Sequence, residues 1–244
     1  MSKLADKIKR VTRMSPQPLG FGAMTAAAEP TLVLAGMAKD AAAAADLARR
    51  GADIVIIGSA GSPADAAAAK AAGEVVSGGW IAGRSDGESK AYREGGFDFV
   101  IFGADAAATS LLDENVGYVM ALPDDLSDND LRTLEAFQLD AVVVGAIEGA
   151  LTVRRQIALR RIFATTRKPL MATVSGSITT PELQALRDTN VVIIAVEGPD
   201  NVERLRTAIA SLPPRARRKD GDDRPTPLVP RATVSEEHDH GEEE

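Results

Sequence analysis

The chain offers few residue types for chemistry. It has no cysteine, and its two histidines, His238 and His240, both lie in the terminal run SEEHDHGEEE. This excludes a cysteine nucleophile, a zinc–thiolate or iron–sulfur centre, and any histidine-based triad, general base or metal centre in the folded part. Proton transfer would then fall to carboxylates or lysine. Three such residues closely follow apolar runs: Lys39 after TLVLAGMA, Asp105 after FDFVIFGA and Glu148 after DAVVVGAI. We take Lys39, Asp105 and Glu148 as the catalytic candidates. Lys39 sits three residues past Gly36, on a loop, where a salt-bridged helix start is the alternative to a reactive amine. Asp124 and Asp125 are adjacent, and neighbouring carboxylates seldom aim at one cation, so no metal site is assigned. Arg84 is a candidate partner for an anionic ligand group, and nearby Trp80 is a ring for stacking or for packing the rim.

These residues need a scaffold, and the apolar pattern supplies one. Short runs rich in β-branched residues occur at 31–35, 53–57, 74–77, 97–102, 116–122, 140–144, 169–174 and 191–196. Most are continuous rather than alternating, as in parallel strands buried on both faces. Helical segments fill the gaps at 40–50, 63–72, 87–94, 108–114, 128–137, 152–166, 181–189 and 201–211. Ser62 and Ser127 each stand three residues before an aspartate, Pro181 follows Thr180, and the run 200–203 reads as an acidic capping box. The even-numbered units resemble one another: GADIVIIG, GFDFVIFG, LDAVVVG and NVVIIAVEG. Eight successive βα units predict an α/β fold, a (βα)8 TIM barrel spanning 31–212. An open doubly wound sheet is the competitor, but TLVLAGMAKD lacks the G-x-G-x-x-G that usually follows its first strand.

The ends of the chain differ from this core. Leu4, Ile8 and Val11 share one face of a basic helix, so 1–30 is expected to be an N-terminal capping segment. Residues 213–244 hold 5 of the 13 prolines and 15 charged residues, with almost no large apolar side chains. Such a composition predicts a disordered tail.

In a (βα)8 barrel the functional face is built from the loops after the strands. Here VSGSITTPELQALRDTNVVIIAVEG (174–198) resembles the last two units of the phosphate-binding (βα)8 barrels. These are the tryptophan-biosynthesis, ribulose-phosphate and flavin-binding nitronate monooxygenase-like enzymes. Ser175-Gly176-Ser177-Ile178 matches their S-G-G-I element, with serine in place of the second glycine, and Gly198 matches the second half. Glycine lets backbone amides approach a phosphate, and a helix N-terminus adds amides and a favourable dipole. The binding candidates are therefore Ser175, Gly176, Ser177, Gly198 and Asn201, with Arg84. The resemblance implies a phosphorylated small molecule or FMN as ligand, and a homodimer. Glu197 and Asp200 flank Gly198 and would repel a phosphate.

The net charge of −7 argues against a nucleic-acid partner, and no apolar run is long enough for a membrane span. With no secretory pattern at the start, a cytoplasmic protein is expected. The functional expectation is a barrel that binds a phosphorylated small molecule or FMN near strands 7 and 8. The alternative is a non-catalytic barrel serving as a scaffold or partner-binding protein, favoured by the small uncharged residues at most strand ends.

Overall fold

A computed structural model describes residues 2–12, 31–66 and 68–213. The expected tail and the rest of the N-terminal segment lie outside the described residues. Eight parallel strands, β1 (Val33–Ala38), β2 (Ile54–Ile57), β3 (Val76–Trp80), β4 (Phe99–Phe102), β5 (Gly117–Ala121), β6 (Ala141–Ile147), β7 (Leu170–Val174) and β8 (Val191–Glu197), close in sequence order into a barrel. Closure is the pairing of β1 with β8, Val33 opposite Ile193 through Met37 opposite Glu197. Every strand predicted from the sequence is present.

Around the barrel run α2 (Ala41–Arg49), α3 (Glu88–Gly95), α4 (Asp128–Thr133), α5 (Val153–Thr166), α6 (Thr180–Asp188) and α7 (Pro199–Ala210); α1 (Lys3–Thr12) precedes β1. Two expected helices shrink to 3-10 turns, Ala68–Ala72 and Ala108–Leu111. The first has a visible cause. Ser62 does not cap a helix but pairs with Ser59 in a small bridge, and the Ala64 amide donates to Trp80 O on β3. The chain is thus tied to β3 at Ala64, ahead of the alanine run, which coils only as the 3-10 turn. The 200–203 capping box is also absent, because α7 begins earlier, at Pro199, with Gly198 as its N-cap.

Two apolar clusters make the core. The outer one packs the helices on the strands, through residues such as Leu47, Phe97, Leu159 and Leu205. The inner one fills the barrel with Val33, Ile54, Ile56, Phe99, Ile101, Val119 and Ile193, among others. Gly78 on β3 is dictated by this filling: a Cβ there would meet the Phe99 ring at 2.1 Å. The same inner cluster contains Leu4, Ile8 and Val11. The amphipathic face of α1 therefore plugs the end of the barrel where the strands begin, as its pattern predicted.

Aspartates at that end fasten the plug. Asp98, just before β4, accepts the Lys3 and Leu4 amides at 2.9 and 2.8 Å, taking up first-turn donors of α1 that have no partner within the helix. Asp140, just before β6, accepts from Ser2 Oγ at 2.5 Å. Asp53, just before β2, accepts the Leu34 amide at 2.9 Å and pairs with Arg206 at 2.6 Å. The aspartate repeated in GADIVIIG, GFDFVIFG and LDAVVVG is thus structural, and it lies at the end of the barrel away from the expected site.

Burial pushes the Asp140 carboxyl up from the usual carboxylate range, and Asp98 adds to the shift; the Ser2 hydrogen bond opposes it. Because the folded state holds this proton more tightly than the unfolded chain, the stabilisation is complete below the ordinary aspartate range. It is lost as pH rises through the elevated value. Asp140→Asn keeps an acceptor for Ser2 and removes the buried charge. We expect it to be at least as stable as the wild type at pH 7 in urea unfolding, with its advantage vanishing as the pH falls toward about 4. A loss of about 1 kcal/mol at pH 7 would contradict this account. Leu4, fully buried, should cost about 2–5 kcal/mol when cut to alanine, read as a lower urea midpoint.

Candidate functional site

The C-terminal ends of the strands form the open face. Side chains alternate along each strand, so the last inward residues follow from the inner cluster. They are Met37 on β1, Ile56 on β2, Trp80 on β3, Ile101 on β4, Ala121 on β5, Gly145 on β6, Thr173 on β7 and Glu197 on β8. Thr173 Oγ1 lies 3.8 Å from Met37 Sδ, across β8, in keeping with a shared inner face. Only Glu197 among these eight can ionise. It is exposed, and no hydrogen bond or ion pair engages its carboxylate among the described residues.

The predicted binding elements do come together. The carboxamide of Asn201, in the first turn of α7, lies over Gly176: a Cβ at 176 would be 2.2 Å from Asn201 Oδ1. Asn201 Nδ2 also donates to Glu197 O at 2.8 Å. Gly176 is glycine because Asn201 occupies its side-chain space, a reason separate from any ligand. Gly198, at φ 85°, turns the chain from β8 into α7, and no side chain caps the amides that follow. Ser175 Oγ and Ser177 Oγ are 2.9 Å apart, both exposed, and Ser175 Oγ also accepts the Ser177 amide at 3.3 Å.

Beside these serines a cleft of about 250 Å³ runs between the β6 and β7 loops, lined by Ile147, Gly149, Ala150, Ser175, Ser177, Ile178 and Glu182. Its wall is held by a single carboxylate. Glu182 accepts from the Thr179 amide at 2.9 Å and from Thr179 Oγ1 at 2.7 Å, completing a capping box at the start of α6. Its other oxygen takes the Leu151 amide at 3.0 Å, tying the β6 loop to α6. These donors, the Leu151 amide first, hold the Glu182 carboxyl below its ordinary range, so at neutral pH it serves as an acceptor. A second hollow, about 160 Å³, lies on the outer wall near the starts of β5 and β6, lined by Phe102, Leu112, Tyr118 and Phe137. None of the predicted site residues lines it.

The catalytic candidates do not form a constellation. Asp105 and Glu148 are both exposed on loops past β4 and β6, and no hydrogen bond joins them. Lys39 is exposed one residue past β1 and has no acidic partner among the described residues. Arg84 is exposed after β3, and its amide donates to Glu88 Oε2 at 3.0 Å. Three strands lie between β3 and β7 on either side of the barrel, so Arg84 stands across the barrel mouth from Ser177. Trp80 packs with the inner cluster rather than standing free on the rim, and its Nε1 is buried without a partner. Among the described residues no three acidic or histidine side chains gather as a metal site, and no helix is long and apolar enough to cross a membrane.

Two residues at this face escaped the sequence analysis as candidates. Glu197 was weighed only as a repulsive neighbour of a phosphate, although β8 brings it inward at the mouth. Arg155, in the first turn of α5, donates from Nη2 to Gly145 O at 2.5 Å.

No family model and no curated protein matches the sequence. Solved structures do match the fold. Phosphoribosyl anthranilate isomerase from Thermus thermophilus superposes with a TM-score of 0.54 at 13% identity, covering 74% of this chain and 99% of that one. 3-Hexulose-6-phosphate synthase gives 0.53 at 18% identity, covering 71% and 98%. KGPDC from Streptococcus mutans gives 0.57 at 9% identity, covering 73% and 97%. At such identities the likeness speaks for architecture: the chain is a closed (βα)8 barrel similar in fold to these enzymes.

Proposed function

We propose that this barrel binds a phosphorylated small molecule at its C-terminal face, with the phosphate between the ends of β7 and β8. One observation carries the reading. The contact of Asn201 with Gly176 sets the uncapped first turn of α7 beside the exposed hydroxyls of Ser175 and Ser177. Unsatisfied helix-start amides with hydroxyl donors nearby suit an oxyanion. Two of the structural neighbours bear names of enzymes for phosphorylated compounds, which agrees with it. Glu197 and Asp200 weaken the site toward a dianion, so we expect modest affinity. FMN would meet the same amides through its own phosphate, and a flavin supplies redox chemistry without any histidine.

A second reading, a barrel that binds without catalysing, draws on the mouth itself. Only Glu197 ionises among the last inward residues, and Lys39, Asp105 and Glu148 stand apart from one another and from it. Acid–base chemistry needs a group within hydrogen-bond reach of the reacting proton, and Glu197 is the residue placed to provide it.

The test is calorimetric titration of inorganic phosphate, a sugar phosphate and FMN into wild type and Ser177→Asp. Ser177 is exposed, so this variant should fold, whereas a side chain at Gly176 would first displace Asn201. The introduced carboxylate should weaken binding at least tenfold, the scale of one lost charge-assisted hydrogen bond. If wild type takes up none of the three at millimolar concentration, the non-catalytic scaffold reading replaces this one. Equal binding by Ser177→Asp would move the phosphate away from β7 and β8.

A further inference from the structure

The outer face of α5 is both apolar and cationic. Val153, Arg154, Ile157, Arg160, Arg161 and Ala164 follow one another at helical spacing, and all six are exposed. Val153 and Ile157, one turn apart, are 71% and 63% exposed. A single exposed aliphatic side chain is ordinary, but two on one stripe begin a patch. The helix also holds four arginines and no acidic residue. Two of the arginines are engaged: Arg155 turns inward to Gly145 O, and Arg161 pairs with Asp128 at 2.5 Å. Arg154 and Arg160, three residues either side of Ile157, have no hydrogen bond or ion pair among the described residues.

The chain itself contains a segment of matching chemistry. Residues 235–244, SEEHDHGEEE, hold six carboxylates and no lysine or arginine, and Val234 directly precedes them. The point from which this segment departs is fixed. Arg187, on α6 and buried, donates from Nη1 to Pro213 O. Because α5 and α6 follow the neighbouring strands β6 and β7, the chain leaves the barrel one unit away from α5. From Pro213 to Ser235 is 22 residues. A flexible chain of that length spans about 25 Å on average and about 70 Å when extended. The 14 residues of α5 make about 21 Å, so the acidic run reaches any part of the helix. Such a tether supplies its own ligand at about millimolar effective concentration.

We propose that the acidic run 235–244 docks on the outer face of α5, its carboxylates on Arg154 and Arg160 and Val234 against Val153 and Ile157. One exposed ion pair contributes little, so the contact draws on several carboxylates over two unpaired guanidinium groups, with apolar burial beside them. The other basic helix near the chain's exit, α1, matches less well. Asp6 lies among its lysines, and its apolar residues face the barrel interior. The contact lies on the outer wall and is independent of the phosphate reading at β7 and β8.

The absence of cysteine makes the test clean, since Gly241→Cys accepts a nitroxide label at a single position of the full chain. The label broadens amide signals close to it in ¹H–¹⁵N correlation spectra. Signals of α7, nearest the tail along the chain, report undirected approach. We expect the amides of 153–164 to lose more intensity than those of α7 at about 0.1 M salt. They should recover at about 1 M, where the screening length falls from about 10 Å to about 3 Å. The loss should vanish in Arg154→Glu/Arg160→Glu, and in a chain whose six acids in 235–244 are changed to Gln or Asn. The second variant alters no barrel residue, so it decides the matter should the first fail to fold. Broadening at α5 no greater than at α7, broadening centred on α1, or broadening unchanged by neutralising the acids overturns the proposal. A mixture of ¹⁵N-labelled chain without nitroxide and unlabelled chain with nitroxide tests a second occupant. Equal broadening of α5 in that mixture assigns the face to a second copy and overturns docking within one chain. Shifts of α5 signals with phosphatidylserine vesicles, and no approach of the label, would assign it to an anionic membrane surface instead.

Discussion

An eight-stranded barrel is stable only if its interior is filled, and most other features of this molecule follow from how that is done. The filling is concentrated where the strands begin and in mid-barrel. Phe99 lies across Gly78, and Leu4, Ile8 and Val11 of α1 complete the inner cluster. Toward the other end the inward residues become smaller on β5 and β6, where Ala121 and Gly145 stand. The plug thus fills one end of the barrel with large side chains, while the inward residues of β5 and β6 at the other end are small.

Polar groups divide between the two ends in the same way. At the plugged end, Asp53, Asp98 and Asp140 each accept a hydrogen bond from a backbone amide or a serine hydroxyl. Their role is to satisfy the chain where α1 and β1 begin. At the mouth end some charged groups are held likewise, Glu88 and Glu182 by loop amides, whereas the Glu197 carboxylate has no partner among the described residues and Arg155 donates to the Gly145 carbonyl. Donors and charges satisfied internally serve folding, while those left unsatisfied beside open space are the ones a ligand can use.

The sequence revealed the architecture well because both its signals are local. Continuous apolar runs mark buried parallel strands, and their spacing marks crossover helices, so all eight strands were legible. The 63–72 segment was not, because its alanines favour a helix while the Ala64 amide is committed to Trp80 O on β3, and only a 3-10 turn forms at Ala68–Ala72. The site was only partly legible. Ser175, Gly176, Ser177, Gly198 and Asn201 could be found from a local pattern, and Asn201 does meet Gly176. Glu197 was hidden because strands buried on both faces do not show which alternate residues point inward. Once Ile193 and Ala195 are known to line the interior, Glu197 follows. Arg155 left a fainter trace: a threonine cap followed by two arginines, with no acid in the first turn.

These features suggest how the face works as a whole. Asp105, Glu148 and Lys39 are spread around the rim on loops, each solvated, and proximity, which concentrates catalytic power, is missing among them. The donors that remain near open space are the amides at the start of α7 and the hydroxyls of Ser175 and Ser177. All of them are suited to holding negative charge. Glu197, standing inward on β8 directly before the turn at Gly198, is the single ionisable group positioned among the last inward residues. A ligand anchored by its oxyanions would therefore meet one carboxylate and an otherwise apolar floor of Met37, Ile56 and Trp80. That arrangement favours recognition and orientation over multi-residue proton relay, and it leaves any reaction dependent on Glu197 or on chemistry the ligand itself brings.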